Sequence, residues 1–304
     1  MLPPKWSVNK LLHGLSMQEA AKKARELKLK QTAFTTINKH LSTISPLFKW
    51  VAQKPEFAGL QNPCTGLFHD KVKGNNPRPS LPSDMLNVIL SSPLFTGFQE
   101  NGKEHKLGDC LADDWRKWIP LIVLFTGARI GEVAQLRLSD IRCDHGIWYF
   151  LIAHDEKAGL TTKSGESRIA VMHNILQQEL RFIDFVERRL QTSRGDTTVR
   201  LFAELVPNGR GQIGDAPSRW WRKYLKNIQV KSGADGFGAH SFRHGLADRL
   251  RVEADLLDTE VAVCLGHVIK STTSGYGSVS QGTFETAKRV DGSSYLGRRG
   301  LLQN

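Results

Sequence analysis

Cysteines are few in this sequence, and no two of them lie close together. The four are Cys64, Cys110, Cys143 and Cys264. They form no CxxC pair, which argues against a zinc site, and their spacing gives no disulfide framework. A reducing, cytoplasmic environment is therefore expected.

Long apolar stretches are also missing. The first ten residues, MLPPKWSVNK, contain no apolar segment of a secretory signal. The longest apolar run, IPLIVLF at 119–125, is far too short to cross a bilayer. We therefore expect a soluble protein with no membrane partner, and the sequence shows neither an internal repeat nor a low-complexity tract.

Acidic residues are too few to balance the basic ones. The chain of 304 residues has 42 Lys and Arg against 30 Asp and Glu, a net charge of +12. Such an excess suits a polyanionic partner such as nucleic acid, although a basic soluble protein without that partner has the same composition. Residues 1–76 hold 12 basic and 4 acidic residues, so they carry +8 and the rest only +4. This asymmetry indicates a basic clamp joined to a more balanced core.

Helical patterns dominate the first quarter. Residues 17–30 are rich in strong helix formers, and residues 32–53 repeat apolar side chains at spacings of three and four. Pro46 lies inside the second pattern, so it should kink or restart that helix. Proline and glycine then become frequent, which predicts a helical segment at 1–76 and a linker at 77–83.

The larger domain, 84–304, combines helical patterns with two short strands. The strands are predicted at Ile147–Ala153 and Arg168–Met172, joined by a polar hairpin connection. Residues 93–113 are predicted to form a loop. Helices are expected near 84–90, 114–126, 175–191, 216–228, 241–251 and 256–264. A small antiparallel sheet embedded in helices defines an α+β, mainly α, fold.

The segment TGARIGEVAQL at 126–136 offers a residue suited to a phosphate. Gly127 ends one helix, so Arg129 lies at a turn from which its side chain can reach a ligand. A guanidinium donates two parallel hydrogen bonds to a phosphate and keeps its charge. Taken alone, an ion pair with Glu132 is the better interpretation of this arginine.

Two further segments add polar candidates. Lys163 lies in the hairpin connection, where a flexible ammonium could protonate a leaving oxygen, although most hairpin lysines are only solvated. In HSFRHGLADRL, His240 and Arg243 are three residues apart and share one face at the start of a helix, where free backbone N–H groups favour an anion. His244 points elsewhere and is interpreted as a packing or surface histidine.

The fourth segment is LGHVIKSTTSGYG at 265–277. His267 follows a glycine at a helix end, and Tyr276 comes nine residues later. A core tyrosine is normally flanked by apolar residues, but Tyr276 stands between Gly275 and Gly277. We therefore expect an exposed, movable hydroxyl rather than a packing residue.

Together these segments resemble the tyrosine recombinase, or phage integrase, family. The family's motifs run TGxRxxE, then a hairpin TK, then HxxRH, then LGH followed nine residues later by Tyr, and this sequence keeps their order and spacing. The resemblance covers about 84–280. It implies a site-specific DNA recombinase that integrates or excises a phage or another mobile element.

The resemblance also implies a role for each candidate. Tyr276 would attack the scissile phosphodiester, leaving a 3′-phosphotyrosine and a free 5′-hydroxyl. Arg129 and Arg243 would hold the non-bridging oxygens as charge develops, and Lys163 would protonate the departing 5′ oxygen. His240 would help to deprotonate the tyrosine.

Two more residues complete the implied site. His267 would hydrogen-bond the phosphate, and Glu132 is similar to the family's supporting carboxylate. Because the phosphotyrosine keeps the bond energy and arginines supply the positive charge, the resemblance implies no ATP, no metal and no other cofactor.

The implied partners are double-stranded DNA and further copies of the chain. We expect a monomer, or weak self-association, in free solution and a homo-tetramer on paired DNA sites, with residues 281–304 packing on a neighbour. The implied location is the bacterial cytoplasm, at the nucleoid when the protein is bound to DNA.

One departure and two alternatives stay open. In the family a four-helix core-binding domain usually precedes the linker, whereas here 1–70 resemble only its second half, so that domain is reduced or the chain is a fragment. A type IB topoisomerase shares the same site chemistry, but the spacing from LGH to Tyr follows the recombinases. A non-catalytic, DNA-binding relic of an integrase would be expected to lack some of the six positions, and all six are filled.

Overall fold

A computed structural model describes most of the chain and divides it into two compact units, Met1–Asn75 and Asn76–Asn304. The described residues are 2–70, 79–162, 164–230, 236–252 and 254–266. Among them, no helix has both the length and the apolar character needed to span a bilayer.

The first unit begins with helix α1 (Met17–Glu26), whose start is fixed by a capping box. The Ser16 hydroxyl accepts a hydrogen bond from the Glu19 backbone N–H (3.3 Å), and the Glu19 carboxylate accepts one from the Ser16 backbone N–H (2.9 Å). The helix stops before its predicted end because Lys28 has a left-handed backbone, with φ of 51°. Its buried face packs into a small core made of Leu12, Ala20 and Ala24.

Helix α2 (Phe34–Val51) is a single helix, so Pro46 does not restart it. The proline removes one backbone hydrogen bond, and the adjacent turn is held from outside by Asn62. The Asn62 amide donates to the Ser45 hydroxyl at 2.8 Å and to the Ser45 carbonyl at 3.3 Å. A side chain from the following segment thus supports the helix at the point that proline weakens.

The second unit confirms the mainly α, α+β fold. Its helices are α3 (Ser83–Leu90), α4 (Pro93–Thr96), α5 (Trp115–Thr126), α6 (Ile130–Ala134), α7 (Phe182–Thr192), α8 (Asp215–Asn227), α9 (Ala239–Val252) and α10 (Asp258–Leu265). Its antiparallel sheet has the order β1 (Ile141–Asp144), β2 (Ile147–Ile152), β3 (Arg168–Val171).

Helix α5 explains the longest apolar run. Every residue from Trp118 to Thr126 is buried, so this helix is surrounded by protein on all sides. It packs against α9 and α6, and its apolar side chains share one core with Phe150 and Ala170, a buried pair in register on β2 and β3. The run is apolar because it forms the centre of the domain core.

The strand prediction is incomplete, because it has two strands where the structure has three. The missed strand, β1, is an edge strand whose Arg142, Cys143 and Asp144 are exposed, so it lacks the alternation that marks a half-buried strand. It joins β2 through His145 and Gly146, both with positive φ (48° and 79°). That is the backbone of a tight two-residue hairpin.

Two helical predictions also need correction. The helix expected at 175–191 is broken into a π-helical turn, Ile175–Glu179, and α7, because Arg181 has a left-handed φ of 54°. The loop expected at 93–113 contains the short helix α4 and places Phe98 in the core. A short apolar insertion of this kind has no periodicity from which a helix could be predicted.

Candidate active site

The candidate site begins at the sharp turn between α5 and α6. Gly127 ends α5 with φ of 62°, and its N–H donates to the Val123 carbonyl at 2.9 Å. A Cβ at this position would overlap the Leu265 side chain and lie 3.1 Å from Leu246. Both the backbone conformation and the close packing therefore require glycine at position 127. Arg129 follows two residues later and is the residue that precedes α6.

Arg129 both faces a cleft and forms the ion pair expected of it. Its guanidinium donates to Glu132 Oε1 at 2.7 Å, and its backbone N–H donates to Glu132 Oε2 at 2.9 Å. The side chain of Arg129 is 22% exposed, whereas that of Glu132 is 3% exposed. The buried carboxylate of Glu132 therefore holds the guanidinium in place, while Arg129 still lines the cleft.

Glu132 has a second cationic partner that the sequence analysis missed. Arg168, at the start of β3, donates to Glu132 Oε2 at 2.7 Å. Burial alone would raise the pKa of Glu132, but the hydrogen bond and charge of Arg168, together with the hydrogen bonds of Arg129, outweigh it and lower that pKa to about 2. The carboxylate is thus charged at neutral pH.

Arg243 lies in the first half of α9 and is 5% exposed. Its guanidinium donates to the Gly127 carbonyl at 2.5 Å and to the Leu265 carbonyl at 2.6 Å, which joins the ends of α5 and α10. Burial lowers the pKa of Arg243 to about 10, together with repulsion from Arg129 and Arg168, and Glu132 offsets part of this effect. That Arg129 and Arg168 both contribute to this shift indicates that the three guanidinium groups lie close together.

His240 lies in the first turn of α9 and lines the same cleft as Arg129. The cleft encloses about 690 Å³. Its polar lining comes from five stretches of the chain and includes Arg129, Gln135, Thr161, Thr162, Arg200, Arg210, Gln212, Asp215, Ser218 and His240. Two residues predicted from distant motifs thus face one space.

The connection between β2 and β3 is attached to this cleft by Gln135, which the sequence analysis did not identify. Its amide donates to the Ala153 carbonyl at 3.1 Å, and its side-chain oxygen accepts from the Thr161 N–H at 3.1 Å. Gln135 is buried, and these two hydrogen bonds satisfy both the NH2 group and the oxygen of its side-chain amide. This attachment fixes Thr162, the residue before Lys163, in the wall of the cleft.

The structure brings some of the predicted residues together and does not cover the rest. Arg129, His240 and Arg243 all lie in one region of the second unit. Lys163, His267 and Tyr276 fall outside the described residues.

The described cluster has a clear electrostatic character. Arg129, Arg168 and Arg243 carry three positive charges against the single negative charge of Glu132, a formal excess of two. Guanidinium groups fixed beside a cleft stabilise a phosphate whose negative charge increases during a reaction. Arg243 had been predicted from the sequence, whereas Arg168 had not.

A mainly helical domain with a small antiparallel sheet, and with arginines fixed beside a cleft, has the features expected of a tyrosine recombinase. The sequence matches the Phage integrase family over residues 110–282, which is more than half of the chain. The chain therefore belongs to the phage integrase family, and it is a tyrosine-type site-specific recombinase.

Several solved structures are similar to this chain at low sequence identity. A XerH site-specific recombinase bound to difH substrate is 15% identical with a TM-score of 0.50, over 84% of this chain and 65% of that one. A lambda integrase (75–356) dimer bound to a COC′ core site is 16% identical with a TM-score of 0.48, over 88% of this chain and 84% of that one. A lambda integrase tetramer bound to a Holliday junction is 15% identical with a TM-score of 0.48, over 88% and 76%. A search of curated proteins gave no match.

Proposed function

We propose that the protein cuts and rejoins specific sites in duplex DNA through a 3′-phosphotyrosine at Tyr276. The observation that carries this assignment is the common cleft of Arg129 and His240, with Arg243 buried next to it. These residues come from separate segments of the chain, and each belongs to a motif of the family. The cleft is where the scissile phosphate binds.

The reaction is an in-line transfer at phosphorus. The Tyr276 oxygen attacks, a new P–O bond forms to the tyrosine, and the bond to the 5′ oxygen of the DNA breaks. His240 accepts the phenolic proton, and Lys163 donates a proton to the departing 5′ oxygen. An unaided tyrosine is a poor nucleophile because its pKa is about 10, so removal of this proton is essential.

The arginine cluster acts on the charge of the phosphate. A phosphodiester carries one negative charge, and attack by a phenolate adds a second one at the transition state. Arg129 and Arg243 donate to the non-bridging oxygens, and His267 adds a further hydrogen bond. Because Glu132 holds Arg129 before the DNA arrives, little reorganisation is needed during the reaction.

No energy source or metal enters this scheme. The phosphotyrosine keeps the free energy of the broken phosphodiester, and attack by a 5′-hydroxyl on it reseals the strand with release of the tyrosine. The guanidinium groups supply the positive charge that a divalent cation supplies in other phosphoryl-transfer enzymes. The proposed enzyme therefore needs neither ATP nor a metal ion.

The proposed substrate is a pair of duplex sites that the enzyme joins in a homo-tetramer. The XerH and lambda integrase neighbours were solved with DNA substrates, one of them as a tetramer on a Holliday junction. The basic first unit would bind phosphates of the same duplex through its lysines. Exchange between two such sites integrates or excises a mobile DNA element.

Covalent capture tests this assignment. A preferred duplex is first selected by binding from a randomised pool, and a nicked copy is then incubated with the enzyme so that the short 5′-hydroxyl fragment diffuses away. An adduct that survives SDS is expected from the wild type and from Tyr295→Phe, the matched control, but not from Tyr276→Phe. Tyr276→Phe should still bind the duplex. An adduct in Tyr276→Phe, or none in the wild type, contradicts the proposal.

A further inference from the structure

Arg168 is a third arginine of the cluster, and no motif used in the assignment contains it. It begins β3, five residues after Lys163 and 36 residues after Glu132. Its Nη2 donates to Glu132 Oε2 at 2.7 Å, and the side chain is 12% exposed. Its Nε and Nη1 atoms are buried and have no hydrogen-bond partner among the described residues.

The same guanidinium lies against Gly266. A Cβ on Gly266 would overlap Cδ and Nε of Arg168 and lie 2.9 Å from its Cζ. Gly266 also has a left-handed φ of 64°, so it needs to be glycine for its backbone as well as for this packing. Arg168 therefore contacts both the carboxylate that holds Arg129 and the residue immediately before His267.

Stability alone does not account for a second arginine at Glu132. The carboxylate already pairs with Arg129, and a buried ion pair contributes little net stability compared with apolar residues of the same size, although breaking one half of it is costly. Two buried N–H-bearing nitrogens without partners add a further cost. A site that tolerates these costs is typical of a group retained for its function.

Charge explains what Arg168 adds. Without it, the cluster of Arg129, Arg243 and Glu132 has a formal charge of +1. With it, the charge is +2, which matches the double negative charge of a phosphodiester under attack by a phenolate. The lowered pKa of Arg243, caused first by burial and then by Arg129 and Arg168, agrees with repulsion among the three guanidinium groups. A dianionic transition state relieves that repulsion more than the monoanionic substrate does.

We propose that Arg168 is a positioning residue for the cleavage step, which holds Glu132 and thereby Arg129 in place and sets the turn that leads into His267. This inference rests on the function proposed above. Arg168 acts on the transition state through Glu132 and through its charge, and it does not contact the DNA.

The test compares Arg168→Met with the wild type on the selected nicked duplex at saturating DNA. The expected cleavage rate constant is lower by about 10- to 100-fold, while the Kd for DNA changes by no more than about threefold. Arg168→Lys keeps the positive charge but loses the planar guanidinium with its several N–H donors, so it should cleave at an intermediate rate. Arg188→Met, at an exposed arginine paired with Asp113, is the matched control and should cleave like the wild type.

A double-mutant cycle separates positioning from a general loss of structure. If Arg168 acts in part through Glu132, the losses from Arg168→Met and Glu132→Gln are not additive, and the double variant cleaves faster than the product of the two losses predicts. Melting temperatures identify a variant that fails to fold, and then Arg168→Lys replaces Arg168→Met in the cycle.

Two results overturn the inference. One is an Arg168→Met enzyme that cleaves within threefold of the wild type, and the other is a cycle in which the two losses simply multiply. Absence of the covalent adduct in the wild type would instead refute the proposed function, so the two failures are distinguishable.

Discussion

The guanidinium of Arg243 donates a hydrogen bond to the backbone carbonyl of Leu265 at 2.6 Å. Leu265 is the last residue of α10 and lies two positions before His267. The same guanidinium holds the Gly127 carbonyl at the end of α5. A residue proposed to contact the phosphate thus also joins the helix ends on which two motifs of the site depend.

Arg243→Lys should therefore reduce both stability and cleavage. One ammonium cannot reach both carbonyls, and a buried carbonyl without a partner costs about 1–3 kcal/mol. Unfolding in urea should show a loss of that size, with cleavage of the nicked duplex almost abolished. Arg251→Lys is the control, because Arg251 lies on the same helix but pairs with Asp258 at the surface. An Arg243→Lys enzyme as stable as this control would contradict the packing role.

Glu132 should make stability depend on acid pH. Its pKa is about 2 in the folded protein against 4.5 for the ordinary group, so the folded state favours the carboxylate. Its contribution is fully present above about pH 5 and is lost as the pH falls toward 2, on the order of 3 kcal/mol in all. Urea unfolding of the wild type and Glu132→Gln should differ most near neutral pH and converge in acid. A constant difference from pH 7 to pH 3 would mean that the carboxylate does not titrate as described.

The sequence was enough to predict the parts of the site that depend on local structure. Gly127 predicts the end of α5 because a left-handed glycine stops a helix, and Arg129 then necessarily lies at the turn. The spacing of His240 and Arg243 likewise places both at the start of α9. These predictions succeed because each needs only a few neighbouring residues.

The parts that were missed depend on contacts between distant residues. Arg168 reaches Glu132 across 36 positions, and no local pattern indicates which arginine completes a buried carboxylate. Arg129 also shows that two interpretations can hold together, since its ion pair with Glu132 and its place in the cleft are both present. The edge strand β1 was missed for another reason, because its exposed residues carry no hydrophobic period.

The basic first unit should account for much of the salt dependence of DNA binding. Residues 1–76 carry a net charge of +8. If their lysines neutralise DNA phosphates, binding releases counterions, and the logarithm of the affinity falls steeply with the logarithm of salt concentration. Deletion of 1–76 should weaken binding to the selected duplex and flatten that slope.

The control for this deletion is that the remaining domain still folds. The second unit has its own large core, separate from that of Leu12, Ala20 and Ala24, so the deletion should leave a cooperative thermal transition. Equal salt slopes with and without 1–76 would show that these charges face only solvent.

The last prediction concerns assembly and residues 281–304, which lie outside the described residues. Their sequence contains Phe284, Tyr295 and Leu296 and ends with Leu301 and Leu302. These apolar residues are too sparse to form a core of their own, so they need a surface on which to be buried. If the recombinase works as the proposed tetramer, that surface is the next subunit.

Truncation after Val279 should then separate cutting from exchange. Recombination between two sites on one plasmid should fall sharply, while covalent capture on a single nicked duplex stays at the wild-type level or rises, because each subunit keeps its own Tyr276. Mass photometry on paired sites should show the tetramer for the full chain and smaller complexes for the truncated one. The double variant Leu301→Ser, Leu302→Ser provides a milder test that retains the full length. Unchanged recombination after truncation would show that contacts elsewhere couple the subunits.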